Sequence, residues 1–247
     1  MEEFDPDREE VVARAFGEGL EAILCPADLA SGRSLAVVLD LACRHPRIIA
    51  AAGVHPHQAR LFGPDVEADI RRLAAEGRIQ AVGEIGLDFH YNFSPAPDQR
   101  RAFRTQLGIA KDLGLPVIVH SRNAGIEILE AVSEAGLTRG GVLHCFSETW
   151  EIAAKALDLG LTISFSGILT FPGAANLRDV ARKVPAGRLL VETDSPYLAP
   201  VPFRGKVRRN EPAWVAETAK VLAGLRNESL EELAAVTTGN FKTLFSV

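Results

Sequence analysis

The sequence contains few of the residues that mark secreted, membrane-spanning or DNA-coating proteins. Only three cysteines occur among 247 residues, at Cys25, Cys43 and Cys145, and no two of them form a Cys-x-x-Cys pair. An odd number of cysteines without a signal peptide predicts free thiols in a reducing compartment. No apolar run approaches the roughly 18 residues of a membrane span, and the N-terminus is acidic. We therefore expect a soluble, cytoplasmic protein without a membrane partner.

Excess positive charge is also absent. The chain has 27 Lys and Arg against 32 Asp and Glu, which gives a net charge of −5. This balance argues against a surface coated in positive charge for duplex binding, but it leaves room for a local basic site. Hydrophobic residues make up 47% of the chain, with no low-complexity tract or linker. The composition therefore favours a single domain over residues 1–247.

Short apolar strands alternate with amphipathic helices along the whole chain. Strands are predicted at 22–26, 48–54, 79–86, 116–120, 141–146, 161–166 and 188–194. Two helices, at about 211–225 and 229–245, close the chain. Strict alternation of this kind is typical of parallel βα units. An open, doubly wound sheet is the weaker alternative, because no Gly-rich phosphate loop follows an early strand.

The strand count suggests a barrel that lacks one strand. A TIM (β/α)8 barrel has eight strands and roughly 250 residues, whereas this sequence supplies seven strands and begins with a helix. The predicted fold is therefore an α/β, TIM-type barrel whose first β-strand is missing. We expect that strand to lie immediately before Met1.

Four ionisable residues follow or end different strands: Glu84, His120, His144 and Asp194. In a barrel the carboxyl ends of the strands converge on one rim, so these residues can meet. Two imidazoles and two carboxylates suit Zn²⁺ or Mn²⁺, and shared carboxylates suit a two-metal centre. Each residue alone also has a structural explanation, such as a rim histidine, a Glu paired with an arginine, or an Asp that caps a turn. Their common position at strand ends favours the metal site.

Two further regions border these strand ends. His55 and His57 follow the second strand, where they either supply ligands or belong to a rigid loop with outer hydrogen-bond donors. The segment Arg204–Arg209 has four cations in six residues after the last strand, where barrels often bind phosphate. A solvated basic loop is the alternative. Cys145 is expected to be a buried strand residue that faces away from His144.

Several long motifs resemble the TatD family of metal-dependent deoxyribonucleases. They are Gly-Glu84-Ile-Gly-Leu-Asp-Phe, His120-Ser-Arg122, His144-Cys-Phe-Ser, Glu192-Thr-Asp194-Ser-Pro and Arg204-Gly-Lys…Asn210-Glu-Pro. The resemblance extends over the whole chain, in order. It implies an amidohydrolase-like TIM barrel with a divalent two-metal centre. The implied activity is hydrolysis of phosphodiester bonds in DNA, often from the 3′ end, by a metal-activated water.

The resemblance also implies residue roles. Glu84 would bridge the metal ions, His120 and His144 would hold one of them, and Asp194 would hold the other and orient the attacking water. Glu84 and Asp194 are thus the expected catalytic residues. The expected substrate-binding residues are His57, Arg122, Arg204, Lys206 and Asn210. The ions are Mg²⁺, Mn²⁺ or Zn²⁺, two per site in the family, with a single ion as the alternative for this chain.

One departure from the family pattern affects the expected activity. The family's first strand carries a His-x-His pair that binds the ion on the Asp194 side, and this sequence starts just after the place of that strand. His55 and His57 are not expected to replace the pair. We favour a start codon that was assigned late over a degraded family member, and activity of the 247-residue chain depends on which applies.

Three hypotheses follow. The leading one is a divalent-metal hydrolase of DNA, or of another phosphodiester substrate. The second is an impaired or non-catalytic homologue with one ion or none, which gains if no codons for an apolar strand ending in His-x-His lie upstream. The third is a metal hydrolase of carboxylic ester, amide or aminoacyl bonds, which activity on such substrates without activity on DNA would select.

Overall fold

Seven β-strands alternate with helices in the computed structural model, which describes residues 2–247. The strands are β1 (Ile23–Asp28), β2 (Ile48–Gly53), β3 (Ala81–Asp88), β4 (Val117–Arg122), β5 (Gly141–Leu143), β6 (Leu161–Phe165) and β7 (Leu189–Val191). Each overlaps a strand predicted from the sequence. Within the described residues, no helix combines the length and the apolar character that crossing a membrane requires.

Nine α-helices accompany the strands in the described residues. They are α1 (Arg8–Gly17), α2 (Gly32–Arg44), α3 (Pro64–Ala75), α4 (Ala96–Leu113), α5 (Gly125–Ala135), α6 (Trp150–Asp158), α7 (Ala175–Lys183), α8 (Val215–Arg226) and α9 (Leu230–Phe245). The two closing helices thus match the predicted ones to within a few residues. Short 3₁₀ helices occupy Glu2–Phe4, Pro56–Leu61, Gly167–Thr170, Ala186–Arg188 and Pro212–Trp214.

The chain forms two compact units. The β1–β5 unit comprises Ala22–Leu143, Lys155–Leu161 and Thr243–Val247. The β6–β7 unit comprises the residues up to Glu21, together with His144–Ala154 and Thr162–Lys242. The single domain over 1–247 stays a prediction.

In the β1–β5 unit, each strand pairs in parallel with the next strand along the chain. All six residues of β2 are buried, as expected for an apolar strand that is covered on both faces. Helix α4 packs beside these strands through one apolar face that includes Phe103, Leu107 and Ile109. It ends at Gly114, whose φ of 64° makes it a left-handed C-cap. The buried side chains hold the ends of β2, β3 and β4 in a fixed relation.

In the β6–β7 unit, β6 and β7 are parallel, with Ile163 opposite Leu189. Two strand ends of the chain come earlier than predicted. Strand β5 ends at Leu143 because Cys145 has a φ of 46°, and β7 ends at Val191 ahead of Asp194, which has a φ of 55°. A residue in the left-handed region, near a φ of 50°, does not continue an extended strand, so the polar residues at these two positions lie in turns.

Candidate metal centre at strands β2 to β4

Three neighbouring strands of the β1–β5 unit deliver the side chains of the candidate metal centre. His55 follows β2 by two residues, Glu84 lies within β3, and His120 lies within β4. The register between β3 and β4 shifts between Val82 and Ile85, which is the position of Glu84. A bulge of this kind re-aims a side chain and is common beside active sites. Glu84 therefore leaves the regular alternation of β3.

One nitrogen of His55, one nitrogen of His120 and one carboxylate oxygen of Glu84 lie within 4.8 Å of one another. Glu84 Oε1 is 3.3 Å from His55 Nε2 and 2.9 Å from His120 Nδ1. The three side chains are partly buried, with 18% to 19% of each exposed. Two imidazoles and one carboxylate form a donor set that Zn²⁺ and related divalent ions accept.

The surroundings of His120 support a cation at this position. Its Nδ1 faces Glu84, and its Nε2 lies 3.3 Å from Oδ2 of Asp88. A neutral imidazole carries one N–H, so it can donate to only one of these two carboxylates. With the proton on Nε2 toward Asp88, a lone pair on Nδ1 faces a carboxylate oxygen. A divalent ion held by His120 and Glu84 would remove that repulsion, and the donor atoms are of the kind that such an ion accepts, so the residues fit a divalent metal.

Asp88 at the end of β3 connects this centre to His57. Its side chain is fully buried, and its Oδ2 is 2.8 Å from His57 Nε2. Burial alone raises the pKa of the Asp88 carboxyl. Hydrogen bonds from His120, from the Tyr91 backbone N–H and from His57 outweigh burial and hold that pKa below its usual range. Asp88 is therefore ionised at neutral pH.

The electrostatics of His57 differ from those of an exposed histidine. Burial lowers the pKa of its imidazole, although the hydrogen bond with Asp88 acts in the opposite direction. In the neutral ring, donation from Nε2 to Asp88 leaves Nδ1 as an acceptor. His57 thus presents an acceptor nitrogen whose orientation Asp88 fixes.

Two buried glutamines on α4 hold the strand ends. Gln106 accepts the backbone N–H of Val54 at 2.7 Å and donates to the Val54 carbonyl at 3.2 Å. Gln99 accepts the N–H of Asp88 at 2.8 Å and donates to the Asp88 carbonyl at 3.1 Å. Residues seven apart lie on the same face of a helix. One helix face therefore fixes the backbone beside His55 and at Asp88.

The remaining predicted ligands lie in the β6–β7 unit. His144 follows β5 by one residue, and its Nδ1 is 3.2 Å from Oε1 of Glu192. Asp194 lies in a turn whose backbone N–H of Tyr197 donates to the Asp194 carbonyl at 2.9 Å. Cys145 places its Sγ 3.1 Å from Ser166, and burial raises the pKa of its thiol. A four-residue metal centre that includes His144 and Asp194 stays a prediction.

Asn210 is buried and its side-chain amide already has protein partners. Its Nδ2 donates to the carbonyls of Thr193 at 2.9 Å and Tyr197 at 2.6 Å, and its Oδ1 accepts the N–H of Glu211 at 2.9 Å. These bonds hold the turn that contains Asp194. Direct substrate binding by Asn210 stays a prediction.

The predicted phosphate-binding cations are exposed, and they divide between the two units. Arg122, in the β1–β5 unit, lies over the ring of Tyr91 at 4.6 Å. In the β6–β7 unit, Arg204 lies over the ring of Phe171 at 3.8 Å, and Lys206 is exposed. Arg209 of the same cationic loop instead forms a two-point ion pair with Asp7, at 2.6 and 2.7 Å. Two of the four cations in this loop, Arg204 and Lys206, are thus the expected substrate-binding ones.

Sequence reasoning missed part of this arrangement. It left His55 open as a ligand and set it aside only as a replacement for the His-x-His pair, and it assigned no role to Asp88, Gln99, Gln106 or Glu192. A signal for the glutamines was present, because they interrupt the apolar face of α4 at positions seven apart. Asp88 follows a buried strand, as the predicted ligands do, so the same strand-end argument applies to it.

Comparison with known proteins identifies the class. The model of the family described as TatD related DNase matches residues 1–246. The chain is 46% identical over 248 residues to the uncharacterized metal-dependent hydrolase YcfH of Escherichia coli K12, with 100% of this chain and 91% of the relative covered. It is 41% identical over 251 residues to the 3'-5' ssDNA/RNA exonuclease TatD of a Rahnella strain, with 99% and 94% covered.

A solved structure agrees with these matches. The crystal structure of YjjV, a TatD homologue from Escherichia coli K12, superposes with a TM-score of 0.89 at 34% identity, covering 99% of this chain and 93% of that one. The seven-stranded, TIM-type α/β fold predicted from the sequence is thereby confirmed. Fold and relatives together define a metal-dependent hydrolase. The chain belongs to the TatD related DNase family, as its motifs predicted.

Proposed function

We propose that the chain hydrolyses phosphodiester bonds in nucleic acid, with a divalent ion held by His55, Glu84 and His120. The observation that carries the proposal is the convergence of these three donor groups within 4.8 Å. A further support is that several relatives, at 38% to 41% identity, are named 3'-5' ssDNA/RNA exonucleases. DNA is the first substrate to test, and Mg²⁺, Mn²⁺ and Zn²⁺ are the candidate ions.

The chain's own residues have separable roles in this proposal. When bound, a divalent ion supplies Lewis-acid activation of water and of phosphoryl oxygens. Asp88, ionised at neutral pH, accepts a hydrogen bond from the Nε2–H of His57 and so holds His57 Nδ1 in position to accept a proton from substrate or water. It also accepts from His120, which orients the ring as an outer carboxylate does in other metal sites.

Exposed cations bind the phosphates. Arg122 offers a planar guanidinium that suits a phosphate diester, and it lies in the same unit as the metal-binding triad. Arg204 and Lys206, in the β6–β7 unit, are also proposed to bind phosphates of the substrate. Asn210 is proposed to act by holding the turn of Asp194, and Asp194 itself remains the second proposed catalytic residue.

The test combines direct metal binding with cleavage. Wild type, Glu84→Gln and His120→Ala are compared for bound metal by elemental mass spectrometry and for cleavage of a 3′-labelled single-stranded DNA. Loss of an outer hydrogen-bond partner typically costs 10- to 100-fold, so loss of a ligand is expected to cost at least about 100-fold in rate. His45→Gln is the matched control, because His45 precedes β2 whereas His55 follows it.

Two kinds of outcome contradict the proposal, and the His45 control tests whether a loss of metal reflects unfolding instead. If DNA is still cleaved after metal chelation, or by the Glu84→Gln variant, then cleavage does not depend on a metal held by His55, Glu84 and His120. If the chain hydrolyses carboxylic esters or amides and leaves DNA intact, the bond that it cleaves is not a phosphodiester bond. Loss of metal in the His45 control would show that the effect is general unfolding.

A further inference from the structure

Two aromatic side chains beside the candidate metal centre are exposed to solvent. Tyr91 is 48% exposed and Phe93 is 61% exposed. Their rings are parallel to within 9°, with centroids 5.3 Å apart. Asn92 between them has a φ of 53°, a conformation that asparagine tolerates well, and the two rings are stacked on each other with an offset. A surface of parallel exposed aromatic faces has no core-packing explanation.

The pair is anchored to the metal centre through Asp88. Oδ1 of Asp88 accepts the backbone N–H groups of His90 at 3.0 Å and Tyr91 at 2.9 Å, while Oδ2 contacts His57 and His120. The His57 ring also lies edge-on to Tyr91 at 5.7 Å and to Phe93 at 4.8 Å. One carboxylate therefore fixes the aromatic pair directly beside the residues that would bind the metal.

Arg122 adds a cation to the same surface. Its guanidinium lies 4.6 Å from the centre of the Tyr91 ring, and among residues 2–247 it has no ion-pair partner. Other arginines of this unit, Arg100 and Arg104, pair with Glu127 and Glu134. A guanidinium on an aromatic face without a carboxylate is available to an anionic ligand.

We propose that Tyr91, Phe93 and Arg122 form a stacking platform that binds an unpaired nucleotide of the substrate. The base extends this stack on Phe93, the more exposed ring, and Arg122 binds a neighbouring phosphate. This proposal rests on the proposed function and adds to it the residues that would hold an unpaired base, with little dependence on base identity because every base has a π face. Two rings are far smaller than the roughly 800 Å² per partner of a stable protein interface, so a base is the better fit.

The platform is tested by binding rather than by cleavage. The full chain is titrated with two fluorescent strands of about ten nucleotides, both with phosphorothioate linkages that resist hydrolysis. The normal strand carries a base on every sugar, and the abasic strand carries none. In the double variant Tyr91→Leu, Phe93→Leu, the Kd for the normal strand is expected to rise about 5- to 100-fold. The Kd for the abasic strand is expected to change less than about twofold. The conservative pair Tyr91→Phe, Phe93→Tyr keeps the rings and is expected to restore affinity.

Two further variants separate stacking from charge and from general surface effects. Arg122→Gln is expected to weaken both strands equally and to reduce the slope of log Kd against log salt by about one. Ile126→Ala is the matched control, because Ile126 is an exposed apolar residue of the same unit, 67% exposed, outside the platform. It is expected to bind both strands as wild type does.

The outcomes distinguish this proposal from the proposed function. Equal binding of normal strands by wild type and the double variant overturns the platform even if DNA is cleaved. Equal weakening of normal and abasic strands also overturns it, because that pattern reports altered structure. A change of oligomeric state in the double variant would assign the surface to a second copy of the chain instead. Discrimination between the two strands supports the platform even where no hydrolysis is found.

Discussion

Gly86→Ala tests how closely β3 and β4 must approach to build the metal centre. A Cβ placed at Gly86 would lie 2.0 Å from the carbonyl oxygen of His120, and the φ of Gly86 is 147°. An ordinary carbon–oxygen contact is about 3.3 Å or longer, so the two strands would have to separate by about 1 Å. Overpacking of this kind costs about 1–3 kcal/mol, and strained backbone costs a similar amount. We expect a loss of about 2–6 kcal/mol in the free energy of unfolding.

The assay pairs this variant with Gly108→Ala. Gly108 lies inside α4, where a Cβ meets nothing within 4 Å. Alanine there should raise the free energy of unfolding by up to about 1 kcal/mol, because glycine is the poorer helix former. The same chemical change should therefore have opposite signs at the two positions. Urea unfolding, followed by circular dichroism, measures both.

Metal affinity gives a second measurement on the same pair. Gly86 lies opposite His120 in the register of β3 and β4, and Glu84 is two residues away. Separation of the strands should move Glu84 from His120 and weaken metal binding, whereas Gly108→Ala should leave it unchanged. If Gly86→Ala is as stable as wild type and binds metal equally well, the reasoning about the close approach of these strands is refuted.

The other predictions concern hydrogen bonds and an ion pair that stabilise the two units. Asn210→Ala should lower the free energy of unfolding by about 2–3 kcal/mol, because the buried N–H of Glu211 loses its acceptor and two partly buried carbonyls lose their donor. Asn176→Ala, at an exposed helix position, should not lower it, and urea unfolding of both variants decides. Hydrogen bonding by Arg209 lowers the pKa of Asp7 to about 2 from 3.8. The difference in free energy of unfolding between wild type and Asp7→Asn should therefore be complete above about pH 4 and decrease as the pH falls towards 2. A difference that stays unchanged at low pH contradicts this. Gln106→Leu should cost about 2–5 kcal/mol, because a buried N–H and a carbonyl at the end of β2 lose their partners; equal urea midpoints for variant and wild type would show that these bonds contribute nothing.

The sequence predicted the order and the type of the elements well because the strands are short apolar runs between amphipathic helices. Their carboxyl ends were harder to predict. Strand β5 was expected to reach residue 146 but ends at Leu143, and β7 was expected to reach residue 194 but ends at Val191. Cys145 and Asp194 adopt positive φ, and neither residue type gives a reliable sequence signal for that conformation. The strand ends are also where the functional groups lie, so small errors there affect the site.

For the candidate site, the sequence predicted that some of the strand-end residues meet, but it did not predict their contacts. Glu84 and His120 were expected to meet, and they do so within one unit at 2.9 Å. His55 was not expected to replace the missing His-x-His pair, and a ligand role for it was left open; its ring nitrogen lies 3.3 Å from Glu84. Which nitrogen of which ring faces a carboxylate depends on side-chain torsions, and spacing along a chain carries no information about them.

Asp88 shows why a residue without an assigned role can determine the geometry of a site. Its backbone is held by Gln99, one of its oxygens caps the turn at Tyr91, and the other accepts from two histidines. The negative charge remains at this buried position because these donors stabilise it against the cost of desolvation. Since the same carboxylate orients His120 and anchors the aromatic turn, the proposed metal centre and the proposed stacking platform share one support. A residue without a side-chain acceptor at this position, such as alanine, would release both histidines and the turn together, so we expect the two properties to be lost together rather than one at a time.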